Sequence, residues 1–334
     1  MIPNCAVNAY RAGLLGLLLI ALAGCAVPFR VPRATVDHPI VTDGYFVLES
    51  GARLPYRDWL PAGPPRAVVL ALHGFNDSRD AWALIAPEFT KAGIAIYAPD
   101  QRGFGAAPDR GRWPGTARLV GDARQMIALL HRRYPGVRLT LMGESMGGAV
   151  ALLLGARGDR LINSYVLISP AVWGGKTLGW PLRASLIAGD TFVPWMRLTG
   201  QQAHILASDN IPALIAFSED PLTIHATRIA TIAGLVRMMG RAQHACAAFA
   251  PAHALILYGG HDQLIPKEAM ARCWRRLPED SGVVTAYYPA DYHLMLLDHQ
   301  RRVPARDIIG FILHPRRPLH SDAATDAMIF GAQH

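Results

Sequence analysis

Between residues 45 and 288 the chain alternates two kinds of apolar pattern. Short runs rich in β-branched residues, at 45–49, 54–60, 67–72 (AVVLAL), 94–98, 139–142, 164–168, 254–258 and 283–288, predict strands. Most are apolar at nearly every position rather than at alternate ones, the pattern of strands buried on both faces of a sheet. Longer stretches with apolar residues three and four apart fill the gaps. Ser78 or Asp80 can cap a helix over 81–92 that Gly93 stops, and another runs from 116 to 134 before Pro135 and Gly136. Strand, helix, strand in succession implies an α/β fold, a mostly parallel sheet flanked by helices. The rhythm breaks between about residues 173 and 250, where no strand signal occurs and Trp, Met, Leu and Ile recur at helical spacing among Gly and Pro. This interval reads as a helical lid inserted over the sheet, or as a separate small helical domain; both place apolar helices near the site. A last helix is expected over 305–313, and 314–334 as a loose C-terminal tail.

Ahead of this body, Arg11 precedes the apolar stretch 13–23 (GLLGLLLIALA), too short to span a bilayer comfortably but suited to a signal-peptide core. Leu22-Ala23-Gly24-Cys25 follows, a sequence that looks like a bacterial lipobox. The expected organisation is therefore a lipoprotein-type signal peptide over 1–24, lipidation of Cys25, a tether over 25–38 and a folded domain over 39–313. An ordinary signal peptide or an uncleaved anchor that happens to carry a cysteine is the alternative. Attachment to a membrane of the cell envelope through the N-terminal lipid follows. In a Gram-negative source that membrane is expected to be the outer one, because Ala26 follows the cysteine in place of the aspartate that resembles an inner-membrane retention signal.

Composition narrows the function. Charged residues make up 17% with a net charge of +8, dominated by arginine, and no basic block interleaved with aromatics marks a nucleic-acid groove. Of the four cysteines, Cys5 leaves with the signal, Cys25 carries lipid, and Cys246 and Cys273 remain as a pair in an oxidising compartment. A disulfide and two buried free thiols both fit; the expectation taken forward is a bridge tying the end of the lid to the helix after Asp262. No Cys/His spacing suggests a metal site, and no cofactor is expected.

The strongest chemical signal is Gly143-Glu144-Ser145-Met146-Gly147, directly after one predicted strand and opening a helix over 148–154. A nucleophile on so tight a strand-to-helix turn needs glycine two before and two after it, because a side chain there would meet the neighbouring strand or helix. A serine hydroxyl is a weak nucleophile at neutral pH, so it needs a base, and the base needs a third group to hold its tautomer. In the chain order serine, acid, histidine, Asp262 follows strand 254–258 through Gly259-Gly260-His261, and His293 follows strand 283–288. Asp220, Asp291 and Asp298 are weaker candidates for the acid, and His261 is the nearest rival base among thirteen histidines. The oxyanion formed by attack needs preorganised donors. Met146 N–H is one; Phe75 N–H, in His73-Gly74-Phe75-Asn76-Asp77 after strand 67–72, is the other.

Taken together, HGF after one strand, Asp100-Gln101-Arg102-Gly103-Phe104-Gly105 after the next, Gly-Glu-Ser-Met-Gly-Gly at the turn and Gly-Gly-His-Asp before a final histidine resemble the monoacylglycerol lipase and lysophospholipase group of the α/β-hydrolases. The resemblance spans residues 40–313 and implies hydrolysis of carboxyl esters without a cofactor, with a lid over an acyl pocket. The loop after His73-Gly74 departs from the group, lacking the Glu-His pair often seen there. A lipid or ester substrate is the implied partner. The rival readings are a peptidase or other esterase, and a noncatalytic surface lipoprotein of the same fold; an alkyl-halide or epoxide hydrolase would need a carboxylate where Ser145 stands.

Overall fold

The computed structural model describes residues 38–174, 178–199 and 205–334. The signal sequence, Cys25 and most of the tether lie outside the described residues. The sheet opens with three short strands, β1 (Ile40–Thr42), β2 (Tyr45–Val47) and β3 (Arg53–Trp59), paired antiparallel in sequence. Then follow β4 (Ala67–Leu72), a 3-10 turn at Arg79–Trp82, helix α1 (Ala86–Lys91), β5 (Ile94–Pro99), α2 (Thr116–Arg133), β6 (Arg138–Glu144), α3 (Met146–Gly155) and β7 (Ser164–Ile168). The helix expected over 81–92 is thus split. Pro87 fits the opening of α1, where its missing N–H is no loss.

After β7 come α4 (Trp180–Phe192), β8 (Arg197–Thr199), α5 (Ile211–Glu219), β9 (Ala226–Arg228) and α6 (Ile229–Ala245). The main body resumes with β10 (Ala254–Gly259), α7 (Lys267–Trp274), β11 (Val283–Tyr288), α8 (Arg302–Leu313) and α9 (Ala323–Gln333). Nine strands form one sheet in the order β1-β2-β3-β5-β4-β6-β7-β10-β11, parallel from β5 through β11. Side chains of β4 alternate between the two faces: Val68, Leu70 and Leu72 join the core under α2 and α3, and Val69 and Ala71 the core under α1 and α8. Every one is buried, which is why the run reads as continuously apolar.

Two expectations need correction. The interval over 173–250 is not free of strands, because β8 and β9 pair antiparallel within it. Each has only three residues, and β8 is exposed throughout, so neither carries the alternation that marks a half-buried strand. The tail is not loose either. Helix α9 docks on β11 through Phe330, 2% exposed, whose ring lies 4.7 Å from Tyr287, 5.2 Å from Trp274 and 5.7 Å from Tyr258. The disulfide expected between Cys246 and Cys273 is formed and joins the end of α6 to α7.

Candidate active site

Ser145 sits between β6 and α3 with φ 51° and ψ −111°, a left-handed backbone that a non-glycine residue adopts only when its surroundings impose it. The impositions are visible. Its N–H donates to the Ile168 carbonyl at 2.9 Å, and its own carbonyl accepts from Ala149 and Ala171 at 3.0 Å each. A Cβ on Gly143 would lie 2.3 Å from the Gly147 backbone, and one on Gly147 would lie 2.1 Å from the Leu72 carbonyl oxygen. The spacing seen in the sequence is therefore enforced by packing against β4 and α3.

Asp262 and His293 come from the loops after β10 and β11, at the carboxyl edge of the sheet where Ser145 also lies. His293 Nδ1 donates to Asp262 Oδ2 at 2.8 Å, with the histidine side chain 3% exposed and the aspartate side chain fully buried. The other oxygen, Oδ1, accepts the N–H groups of Leu264 and Ile265 at 2.8 and 2.9 Å. Asp262 is thus held by its own loop and presents one oxygen to the ring, which leaves Nε2 as the lone-pair nitrogen. Ser145 and His293 line one cavity; no hydrogen bond joins the hydroxyl to the ring in the structure, and such contacts commonly tighten only with substrate.

The rivals are engaged in other contacts. His261 stacks on Tyr292 with ring centroids 5.1 Å apart. Asp220 accepts from Ser78 and Leu222, and Asp298 accepts the Tyr292 N–H at 2.8 Å.

The loop after β4 reaches Ser145, since a Cβ on Gly74 would lie 3.6 Å from the Ser145 Cβ. Met146 opens α3, where the first N–H groups have no intrahelical acceptor, and Phe75 follows Gly74 in the same irregular stretch. His73 braces this loop. Gln101 N–H donates to its Nε2 at 3.0 Å, so the proton sits on Nδ1 and is donated to the Gly74 carbonyl at 2.7 Å. Burial holds the ring below the usual imidazole range, which keeps that neutral tautomer.

The DQRGFG segment is part of the same scaffold. Asp100 accepts from the Arg79 and Ala106 N–H groups at 2.7 Å each, and Arg102 forms a buried pair with Asp122. The loop is also tied to the insertion, as Ile224 N–H donates to the Asn76 carbonyl at 2.8 Å and Asn76 Nδ2 to Thr227 Oγ1 at 2.6 Å.

The cavity over Ser145 measures about 410 Å³ and is walled by apolar side chains of α4 (Leu182, Leu186), α5 (Phe217) and α6 (Leu235, Met239). Among the described residues that line it, the one carboxyl is that of Asp77, 5% exposed, which also lines a second cavity with Glu144. Burial and the neighbouring Asp220, Asp100 and Asp80 push the Asp77 carboxyl up to about 7 against the pull of the Ser78 N–H. Sequence reasoning passed over Asp77 and Glu144. The available signal was an acid beside each of two glycine-bounded turns, a position where a solvated charge has little room.

Fold and site together define a serine hydrolase of the α/β-hydrolase class. Residues 63–300 match the Hydrolase_4 family, described as serine aminopeptidase, S33, and the chain belongs to that family. Over 265 residues it is 26% identical to a monoacylglycerol lipase of Mycolicibacterium smegmatis, covering 79% of this chain and 94% of that protein. It is 23% identical over 270 residues to a monoglyceride lipase of Rattus norvegicus, covering 80% and 86%. Among solved structures, the Paleococcus ferrophilus monoacylglycerol lipase superposes with a TM-score of 0.65 at 21% identity, covering 78% of this chain and 98% of that one. A soluble variant of the Saccharomyces cerevisiae monoglyceride lipase, in complex with a substrate analog, gives 0.66 at 19% identity, covering 86% and 98%.

Proposed function

We propose that the enzyme hydrolyses carboxyl esters of lipids, monoacylglycerols or lysophospholipids, with Ser145 as nucleophile, His293 as base and Asp262 as its orienting acid. The observation that carries this reading is the buried Asp262–His293 hydrogen bond at the wall of an apolar cavity that Ser145 shares. His293 Nε2 takes the Ser145 proton as Oγ bonds to the carbonyl carbon, and the N–H groups of Phe75 and Met146 donate to the oxyanion. Such a donor contributes about 3 kcal/mol to lowering the barrier. Collapse breaks the bond to the alcohol, which leaves with the proton from His293. Water, deprotonated by His293, then attacks the acyl-enzyme; the fatty acid departs and Ser145 regains its proton.

Apolar walls from three helices of the insertion favour an acyl chain over a peptide. The outer face of α4 supports work at a lipid surface: Trp180 is 81% and Phe192 61% exposed, and no residue of that helix is buried. Among the described residues no helix is long and apolar enough to cross a membrane. Lipidation of Cys25 would supply the attachment, two or three acyl chains at roughly 0.8 kcal/mol per buried methylene being enough for stable anchoring.

The test is a panel of p-nitrophenyl esters from acetyl to palmitoyl, monoolein, lysophosphatidylcholine and an aminoacyl arylamide. Long-chain esters are expected to dominate; faster cleavage of the arylamide would replace this reading with a peptidase. Metabolic labelling with a fatty-acid analogue is expected to mark the wild type and not Cys25→Ser, and an unlabelled wild type would refute the anchor alone.

A further inference from the structure

Beside the apolar cavity lies a second one of about 280 Å³, and Asp77 and Phe217 line both. Among the described residues its polar wall is entirely acidic: Asp77, Asp80, Glu144 and Asp220, with no Lys, Arg or His. Asp80 is neutralised by Arg57 at 2.6 Å, and the nearby Arg79 is taken by Asp100. Asp77 and Asp220 are left without a cation. Glu144 is the independent sign of a ligand. It immediately precedes Ser145, is 5% exposed, lines the cavity, and accepts no hydrogen bond through its carboxyl among the described residues, its oxygens keeping some exposure rather than being sealed.

Burial of an acid without a partner is costly, and the fold normally avoids it. Burial, with Asp77, Asp298 and Asp262 adding to it, pushes the Glu144 carboxyl well above the usual range. Both buried acids therefore report a site deficient in positive charge. A small metal ion is not indicated, since among the described residues no group of three acidic or histidine side chains is placed to hold one. The cavity suits a larger and more diffuse cation, and the Phe217 ring at its wall is the kind of face on which quaternary ammonium groups rest.

We propose that this side cavity receives the alcohol half of the ester, and that it selects alcohols carrying an ammonium group over neutral ones and rejects those carrying a phosphate close to the ester bond. The inference rests on the hydrolase reading and assigns its two halves: the apolar cavity takes the acyl chain, so the acidic cavity on the other side of Asp77 and Phe217 takes what leaves. The expected substrate class is fatty esters of amino alcohols. A glycerol ester, able to donate hydroxyl hydrogens to the carboxylates, ranks below them, and a phosphate set against Asp77 and Glu144 ranks last, so that of the two lipid classes proposed above the monoacylglycerols are favoured over the lysophospholipids.

The decisive comparison uses decanoylcholine and 3,3-dimethylbutyl decanoate, equal in shape and differing in charge, with 1-decanoylglycerol 3-phosphate as the anionic arm. For the full chain above neutral pH, kcat/KM for the choline ester is expected to exceed that for its neutral isostere by at least about tenfold. Glu144→Gln and Asp220→Asn are each expected to move that ratio toward one. A wild-type ratio near one, a ratio unchanged in both variants, or preference for the phosphate ester would overturn the proposal. Calorimetric titration with tetramethylammonium reads the cavity without turnover. Binding weakened by Glu144→Gln supports the site even if all three esters are inert, an outcome that would refute the hydrolase reading instead, and no binding by the wild type refutes the site.

Discussion

Asp77→Asn is expected to stabilise the enzyme, and by more at high pH than at low. The carboxyl is 5% exposed and is held at about 7 in the fold, against roughly 3.9 in an unfolded chain. Its folded pKa is raised, so the folded state binds the proton more tightly, and between these two values stability falls as pH rises. At about 1.36 kcal/mol per unit, ionisation costs the fold roughly 1.5 kcal/mol by pH 5 and about 4 kcal/mol by pH 8, relative to a side chain that stays neutral. Asparagine is close in shape, and its Oδ1 can still accept the Ser78 N–H that Asp77 accepts at 2.7 Å. The amide's own donors need partners, an effect that does not depend on pH, so the quantity to read is the change between two pH values. The gain from the substitution should grow by about 2 to 3 kcal/mol from pH 5 to pH 8, seen as roughly 3 to 5 °C of extra difference in Tm. Parallel thermal melts of wild type and variant measure it. A shift of equal size at both pH values, or one larger at pH 5, would refute a buried, proton-binding Asp77.

Ser145→Ala should lower ester hydrolysis by at least about 10⁴-fold without changing the melting temperature, and activity within tenfold of wild type would remove the nucleophile assignment. Asp262→Asn should cost about 10³- to 10⁴-fold in kcat through loss of the His293 tautomer, whereas greater damage from Asp220→Asn would show the acid to be wrongly assigned. Replacing both Cys246 and Cys273 with alanine should cost about 3 to 4 kcal/mol by denaturant titration, the entropy of a loop set by a separation of 27 residues. Full alkylation of both thiols without reduction would contradict that bridge. Phe330→Ala should cost about 3 to 5 kcal/mol while leaving kcat near wild type, since the ring packs among Tyr258, Trp274 and Tyr287 and does not line the cavity over Ser145.

What the sequence by itself determined is local. The runs at 67–72 and 164–168 coincide with β4 and β7, because strands buried on both faces must be apolar at almost every position, and the run at 283–288 coincides with the partly buried edge strand β11. Glycine at 143 and 147 marked the turn at Ser145, because no Cβ fits there at all. The order of Ser145, Asp262 and His293 was legible for the same reason, each lying just past a recognisable strand.

Tertiary structure decided what no window of sequence contains. Strands β8 and β9 exist by pairing with each other across 26 intervening residues, and α9 is fixed by a ring bound to residues 43 to 72 positions earlier; neither needs a long periodic pattern of its own. The acidic side cavity joins residues 77, 144 and 220, from three separate segments. The charge of Asp77 and Glu144 matters because folding removes both from water, and burial of that kind is a property of the assembled chain.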